Sequence, residues 1–162
     1  MKTTNKFWYY SLIILSVLLS NCKKEESTPV ASVAATIVAT EDWTFIIDSD
    51  SNNNGHQIHT KKSDGSITSS GSWTYQGTVC PFQDALLLIN DTIVSFTATG
   101  TATNPAAPAG YNTSPFTLKV NSVAHNGKSY ETYNIVFTTF GWPPSLNGIS
   151  TGKRNSGSGV TN

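Results

Sequence analysis

The chain has 162 residues, a formal net charge of zero, 12% charged residues and 38% hydrophobic ones. That length is one domain's worth, with enough chain to bury a core unaided, and so few cations exclude the dense basic surface of a nucleic-acid binder. No Ser-His-Asp order and no glycine-rich phosphate loop occurs, which argues against a hydrolase or phosphoryl-transfer enzyme.

Lys2 and Lys6 give the chain a positive start, and an uncharged apolar run follows from Phe7 to Leu19. The run is shorter than the ~20 apolar residues a membrane-spanning helix needs, so residues 1–21 read as a signal peptide. Leu19-Ser20-Asn21-Cys22 resembles the lipobox of bacterial lipoproteins, although Asn21 replaces the usual small residue before the cysteine. The resemblance implies cleavage before Cys22 and lipid on its thiol; an ordinary secretory peptide is the alternative. Lys23-Lys24-Glu25-Glu26 and the Ser-Thr-Pro stretch behind it resemble the export region of Bacteroidota lipoproteins. That resemblance implies an outer-membrane lipoprotein on the cell surface or the periplasmic face, with residues 22–31 as lipidated cysteine and tether. Two acyl chains suffice for stable attachment. Beyond the tether, six basic residues (Lys61, Lys62, Lys119, Lys128, Lys153, Arg154) meet eight acidic ones (Glu41, Asp42, Asp48, Asp50, Asp64, Asp84, Asp91, Glu131). With Cys22 lipidated, Cys80 is left without a disulfide partner and reads as a small buried hydrophobe.

Residues 32–155 read as a single all-β domain and 156–162 as a disordered tail, because apolar residues recur at period two and Thr, Val, Ile and aromatics fill the runs. A first strand is expected near Thr36 to Thr40 and a second from Trp43 to Asp48, with Trp43, Phe45 and Ile47 inward. Asp64-Gly65 predicts a two-residue hairpin that pairs Lys62 with Ile67, Thr60 with Ser69, Ile58 with Gly71 and His56 with Trp73. Another turn at Asn90-Asp91 joins the run Ala85 to Ile89 to a strand whose Val94, Phe96 and Ala98 share a face. Asn126-Gly127 tolerates the positive φ of a type I′ turn. Pairing outward from it sets Val120 opposite Tyr133, Leu118 opposite Ile135, Phe116 opposite Phe137, Lys119 opposite Asn134 and Thr117 opposite Val136. A closing strand is expected near Leu146 to Lys153. Eight or nine antiparallel strands joined by hairpins predict a small meandering barrel, with a β-sandwich as the runner-up. The triplet Gly71-Ser72-Trp73 and the strand count resemble lipocalins, which implies the same barrel.

Four features are candidate sites. Asp48, Asp50, Asn52 and Asn54, followed by Gly55, alternate oxygen ligands as the opening of a calcium loop does, although Lys61 stands where the bidentate carboxylate belongs. A plain polar hairpin loop is the alternative. His56-Gln57-Ile58-His59 brings two histidines close in sequence, but residues three apart in a strand face opposite ways. Trp142, in Phe140-Gly141-Trp142-Pro143-Pro144, and Tyr111, in the proline-containing stretch Asn104 to Pro115, are candidate aromatic rims. Asp91-Thr92-Ile93 resembles the short motif at which Bacteroidota attach O-linked glycans, which makes Thr92 a candidate for modification.

These features favour a non-catalytic binding module for a small apolar ligand, a glycan or a protein, with His56, Trp73, Tyr111 and Trp142 as the ligand-binding candidates. The competing expectation is an accessory lipoprotein that docks to another envelope protein. The first predicts an open cavity of ~300 Å³ or more lined by aromatics; the second predicts a solid interior and an exposed apolar patch.

Overall fold

A computed structural model describes residues 34–161; the signal peptide, Cys22 and the tether expected over residues 1–31 lie outside them. The domain has eight strands: β1 (Ile37–Ile47), β2 (Asp50–Lys62), β3 (Ile67–Tyr75), β4 (Thr78–Asn90), β5 (Ile93–Thr103), β6 (Thr113–His125), β7 (Lys128–Phe137) and β8 (Ser145–Gly157). Each pairs antiparallel with its sequence neighbours, and β1 pairs with β8 to close a barrel. Closure leaves no edge strand, although β4 and β5 pair only at Val79 with Thr103 and from Leu87 to Asn90. The small barrel is therefore the observed architecture, and the sandwich is not. The two separate strands expected before Asp48 are one, β1.

Strand parity defines two ends. The described chain enters and leaves at one end, which also carries the β2–β3, β4–β5 and β6–β7 turns; this is the entrance end. The opposite loop end carries the short β1–β2 and β3–β4 turns and the longer connections 104–112 and 138–144. Between them Trp43, Phe45, Ile47, Trp73, Phe82, Phe96, Phe116, Leu118 and Ile135 fill the barrel, each at most 5% exposed. Each such side chain contributes about 1.5–3 kcal/mol by leaving water. Trp73 stacks on Phe45 and meets Tyr133 edge-on, with ring centroids 6.4 and 5.0 Å apart.

The β6–β7 hairpin has the expected register at all five pairs, from Val120 opposite Tyr133 to Thr117 opposite Val136. Asn126 and Gly127 supply its turn at φ 51° and 70°. The β2–β3 hairpin differs by one residue. The Lys62 N–H donates to the Ser66 carbonyl and the Gly65 N–H to the Lys62 carbonyl, at 2.9 and 3.0 Å. The loop is therefore Ser63-Asp64-Gly65, with Gly65 at φ 84°, a three-residue connection closed by a left-handed glycine. Lys61 now faces Ile67, His59 faces Ser69, Gln57 faces Gly71 and Gly55 faces Trp73. A slip of one residue exchanges the two faces of a strand, so Gln57 and His59 point inward and His56 outward.

Strand β4 holds a bulge. Ser69 pairs with Ala85 while Gly71 pairs with Phe82, so Gln83 and Asp84 oppose the single residue Ser70, and Asp84 sits at φ 50°. The inward set shifts from Cys80 and Phe82 to Ala85 and Leu87, which turns Leu86 and Leu88 out to 55% and 62% exposure. The tail expected to be disordered from residue 156 is ordered as far as it is described: β8 runs to Gly157, and Val160 and Thr161 are buried. Their backbone amides and the Thr161 hydroxyl donate to the Glu41 carboxylate, which holds the segment across the barrel mouth.

Candidate binding cup at the loop end

The barrel interior is nearly solid. A void between Trp43, His59, Glu131 and Thr161 measures about 10 Å³, room for about a single water. Two larger spaces lie outside the core: a shallow groove of about 350 Å³ on the outer wall by Leu86, Leu88, Thr97 and Lys119, and a cup of about 340 Å³ at the loop end, lined among others by Tyr75, Gln76, Asn104, Pro108, Tyr111, Phe137, Trp142 and Leu146.

Two loops build the cup. In connection 104–112 the Asn104 N–H donates to the Asn112 carbonyl (2.8 Å), and the Asn104 side-chain oxygen accepts from the Ala106 N–H (3.0 Å). In connection 138–144 the Trp142 N–H donates to the Thr139 carbonyl (3.2 Å). The Thr139 N–H donates to the Ser114 hydroxyl, and the Trp142 indole N–H donates to the Tyr111 carbonyl at 2.8 Å, so the loops are tied to each other. The Trp142 ring leans on Phe137 with centroids 5.0 Å apart. With its indole donor committed, the Trp142 side chain has only ring surface to offer. No lining residue carries a formal charge.

Of the four ligand candidates read from sequence, Tyr111 and Trp142 meet here and the other two do not. Trp73 is fully buried in the core. His56 is on the outer face, 3.0 Å from the Asp42 carboxylate, and His59 is inside, so the pair is split across the strand as parity requires. The loop expected from Asp48 to Gly55 is only the turn Asp48-Ser49, and β2 begins at Asp50. Asp50 accepts from the Asn52 backbone and side chain and from the Asn53 side chain. Asp48 accepts from the Tyr133 hydroxyl (2.9 Å) and the Ile149 N–H (3.0 Å). Asn52 and Asn54 are exposed on the strand. Among the described residues, no three His, Cys, Asp or Glu side chains cluster as metal ligands. Thr92 lies half-buried in the β4–β5 turn, with its carbonyl accepting from the Ala124 N–H. Burial pushes the Cys80 thiol up to about 12, which leaves it an unreactive hydrophobe.

A polar layer inside the entrance end was not read as a site. The Glu131 carboxyl is raised to about 7 by burial, against the hydroxyls of Ser150 (2.8 Å) and Ser129 (3.3 Å) that hydrogen-bond to it. Burial lowers His59 to about 4. One ring nitrogen of His59 bonds the Gln57 side-chain oxygen at 3.2 Å; the other, Nδ1, is unpartnered, as is the Gln57 amide nitrogen. Burial also pushes Glu41 up, but the Thr161 hydroxyl, the Trp43 indole and the amides of residues 160 and 161 outweigh it and hold the group below its ordinary value. Arg154 pairs with Glu41 at 2.7 Å. The Asn126-Gly127 register already put Glu131 on the face of Tyr133, whereas the slipped β2–β3 register hid Gln57 and His59.

Compared with family models, curated proteins and solved structures, the chain matches none. Its chemistry has to be read from its own geometry.

Proposed function

We propose that the protein is a lipid-anchored outer-membrane lipoprotein whose barrel serves as a rigid stand for a non-catalytic binding cup, and that the cup takes a small uncharged ligand presenting an apolar face, such as a sugar ring. The carrying observation is the cup itself: aromatic rings, two prolines and two amide side chains, with no charge among them. An ionic ligand would find no counter-charge there. A sugar offers an apolar C–H face for the Trp142 and Tyr111 rings and hydroxyls for the amides of Gln76 and Asn104. The described chain begins at the end opposite the cup. The accessory-lipoprotein reading draws on a different observation, the filled interior together with exposed Leu86 and Leu88.

Tryptophan fluorescence tests the cup in the chain cleaved before Cys22, which lacks Trp8, because Trp43 and Trp73 are sealed in the core and Trp142 is not. Neutral oligosaccharides and small apolar compounds should include one that shifts the emission saturably, and Trp142→Ala should remove the shift while His56→Ala keeps it. A panel that leaves the wild type unchanged, or a shift that survives Trp142→Ala, would sink the cup. Intact mass of the membrane-extracted protein should show acyl groups on Cys22; an unmodified cysteine would remove the anchor.

A further inference from the structure

The outer wall near the entrance end carries a second surface. Ile93, Val123 and Tyr130 are direct neighbours across β5, β6 and β7, and they are 53%, 54% and 62% exposed. Leu88, one rung away on β4 opposite Ser95, extends the strip. One rung nearer the mouth, His125 faces Lys128, and Lys128 faces Lys153. A lysine directly opposite a lysine is destabilising, and neither makes an ion pair among the described residues. The outward faces of β6, β7 and β8 carry no carboxylate: Glu131, the one acid in these strands, points inward and is buried. Asp64 and Asp91 lie at this end only in the β2–β3 and β4–β5 turns. At the loop end the charges are Asp48 and Asp50 instead.

We propose that this patch docks the barrel on an anionic phospholipid surface. Ile93, Val123, Leu88 and the Tyr130 ring would enter the headgroup region, and Lys128 and Lys153 would meet lipid phosphates. Exposed aliphatics and an aromatic bordered by lysines whose stems can lie along apolar surface are the residue types that hold a protein in that interface. Phosphate also supplies the anion that the facing lysines lack. Geometry agrees, since the described chain begins at this end and Cys22 is twelve residues before Ala34, a reach of roughly 40 Å when extended. The proposal rests on the anchored reading for the local concentration of lipid, and on the patch alone for its chemistry.

The test places an environment-sensitive fluorophore at Val123→Cys or at Phe140→Cys in the full chain, where buried Cys80 escapes labelling and a lipidated Cys22 has no free thiol. The protein is bound to vesicles of phosphatidylethanolamine and phosphatidylglycerol, with and without brominated acyl chains. The Val123 label should shift to the blue and be quenched by bromine, and the Phe140 label should stay aqueous. Lys128→Glu with Lys153→Glu, or replacing the anionic lipid by phosphatidylcholine, should return the Val123 label to its aqueous spectrum. Equal spectra at the two positions overturn the proposal, as does insensitivity to charge reversal. A Val123 label that stays aqueous on these protein-free vesicles also overturns it and leaves the patch to a protein partner. If intact mass shows Cys22 unmodified, the anchor fails, and the same labels on the Cys22→Ser chain with the same vesicles still decide the patch.

Discussion

The two halves of the barrel interior are built on different physics. Toward the loop end the inward residues are mostly aromatic and aliphatic, among them Trp73, Phe82, Phe116, Ile135 and Phe137, with Asn53, Ser114 and the unpartnered Trp73 indole nitrogen as the buried polar groups. Toward the entrance end Glu41, Gln57, His59, Ser122, Ser129, Glu131 and Ser150 are buried as deeply, mixed with Trp43, Val94 and Ala124. The first half stabilises through area removed from water; the second half has to satisfy each donor and acceptor it buries, and its contribution depends on protonation. The binding cup sits on the half that holds neither Glu131 nor His59. A ligand site carried on that half should keep its shape across conditions that loosen the other end.

The largest expected effect lies in the apolar half. Phe45→Ala, which removes a ring stacked between Trp43 and Trp73, should cost about 3–5 kcal/mol, read from denaturant midpoints at constant slope. A cost under about 1 kcal/mol would mean the interior is looser than the filled barrel described above.

Next comes the polar half. Below 4.5, the ordinary value of Glu131, the raised Glu131 contributes its full stability, which is lost as pH rises through about 7. His59, lowered to about 4 from 6.5, contributes fully above 6.5 and loses stability as pH falls toward 4. Between 4.5 and 6.5 the two slopes oppose: the folded chain keeps on Glu131 the proton that the unfolded chain keeps on His59. Wild-type stability should therefore be nearly level across that window. Glu131→Gln should tilt it upward with pH, and His59→Gln downward, each by on the order of 1 kcal/mol per pH unit. Parallel wild-type and variant profiles would show that the two groups are not buried together.

Glu41→Gln should follow, at about 2–3 kcal/mol, because it leaves the Arg154 charge without its partner and weakens the hold on Val160 and Thr161. Susceptibility of the residues after Gly157 to carboxypeptidase should rise with it; unchanged resistance would mean that Glu41 does not hold that segment. Smallest is Asp50→Ala, within about 0.5 kcal/mol for an exposed side chain. Calcium should not raise the melting temperature of either form, since the Asp50 oxygens already accept from Asn52 and Asn53. A calcium-dependent rise that Asp50→Ala abolishes would restore the metal reading.

How much of this was legible in the sequence depended on local turn chemistry. Asn126-Gly127 admits one short turn, and apolar residues on both arms fix the register, so the β6–β7 pairing could be read residue by residue. Asp64-Gly65 offers the same kind of signal, but Ser63 joins its loop, and the mixed polarity of Gln57, His59, Ser69 and Thr60 gave no penalty for the slip. The Asp84 bulge breaks period two inside an apolar run, where alternation carries no information. The cup was half visible. Tyr111 and Trp142 sit in proline-containing loops that parity sends to one end, whereas Tyr75, Phe137 and Leu146 look like ordinary strand residues until the barrel closes. The order after Gly157 depends on a carboxylate more than a hundred residues earlier, a contact that no local pattern announces.

The central claim is that ligand binds at the loop end and nowhere else on the barrel. Isotope-labelled full chain titrated with neutral oligosaccharides should show saturable NMR shifts at Tyr75, Tyr111, Phe137 and Trp142, while Glu131, His59, Leu88 and Tyr130 stay fixed. Shifts centred on the entrance end or the outer wall, or none with any neutral ligand, would contradict it.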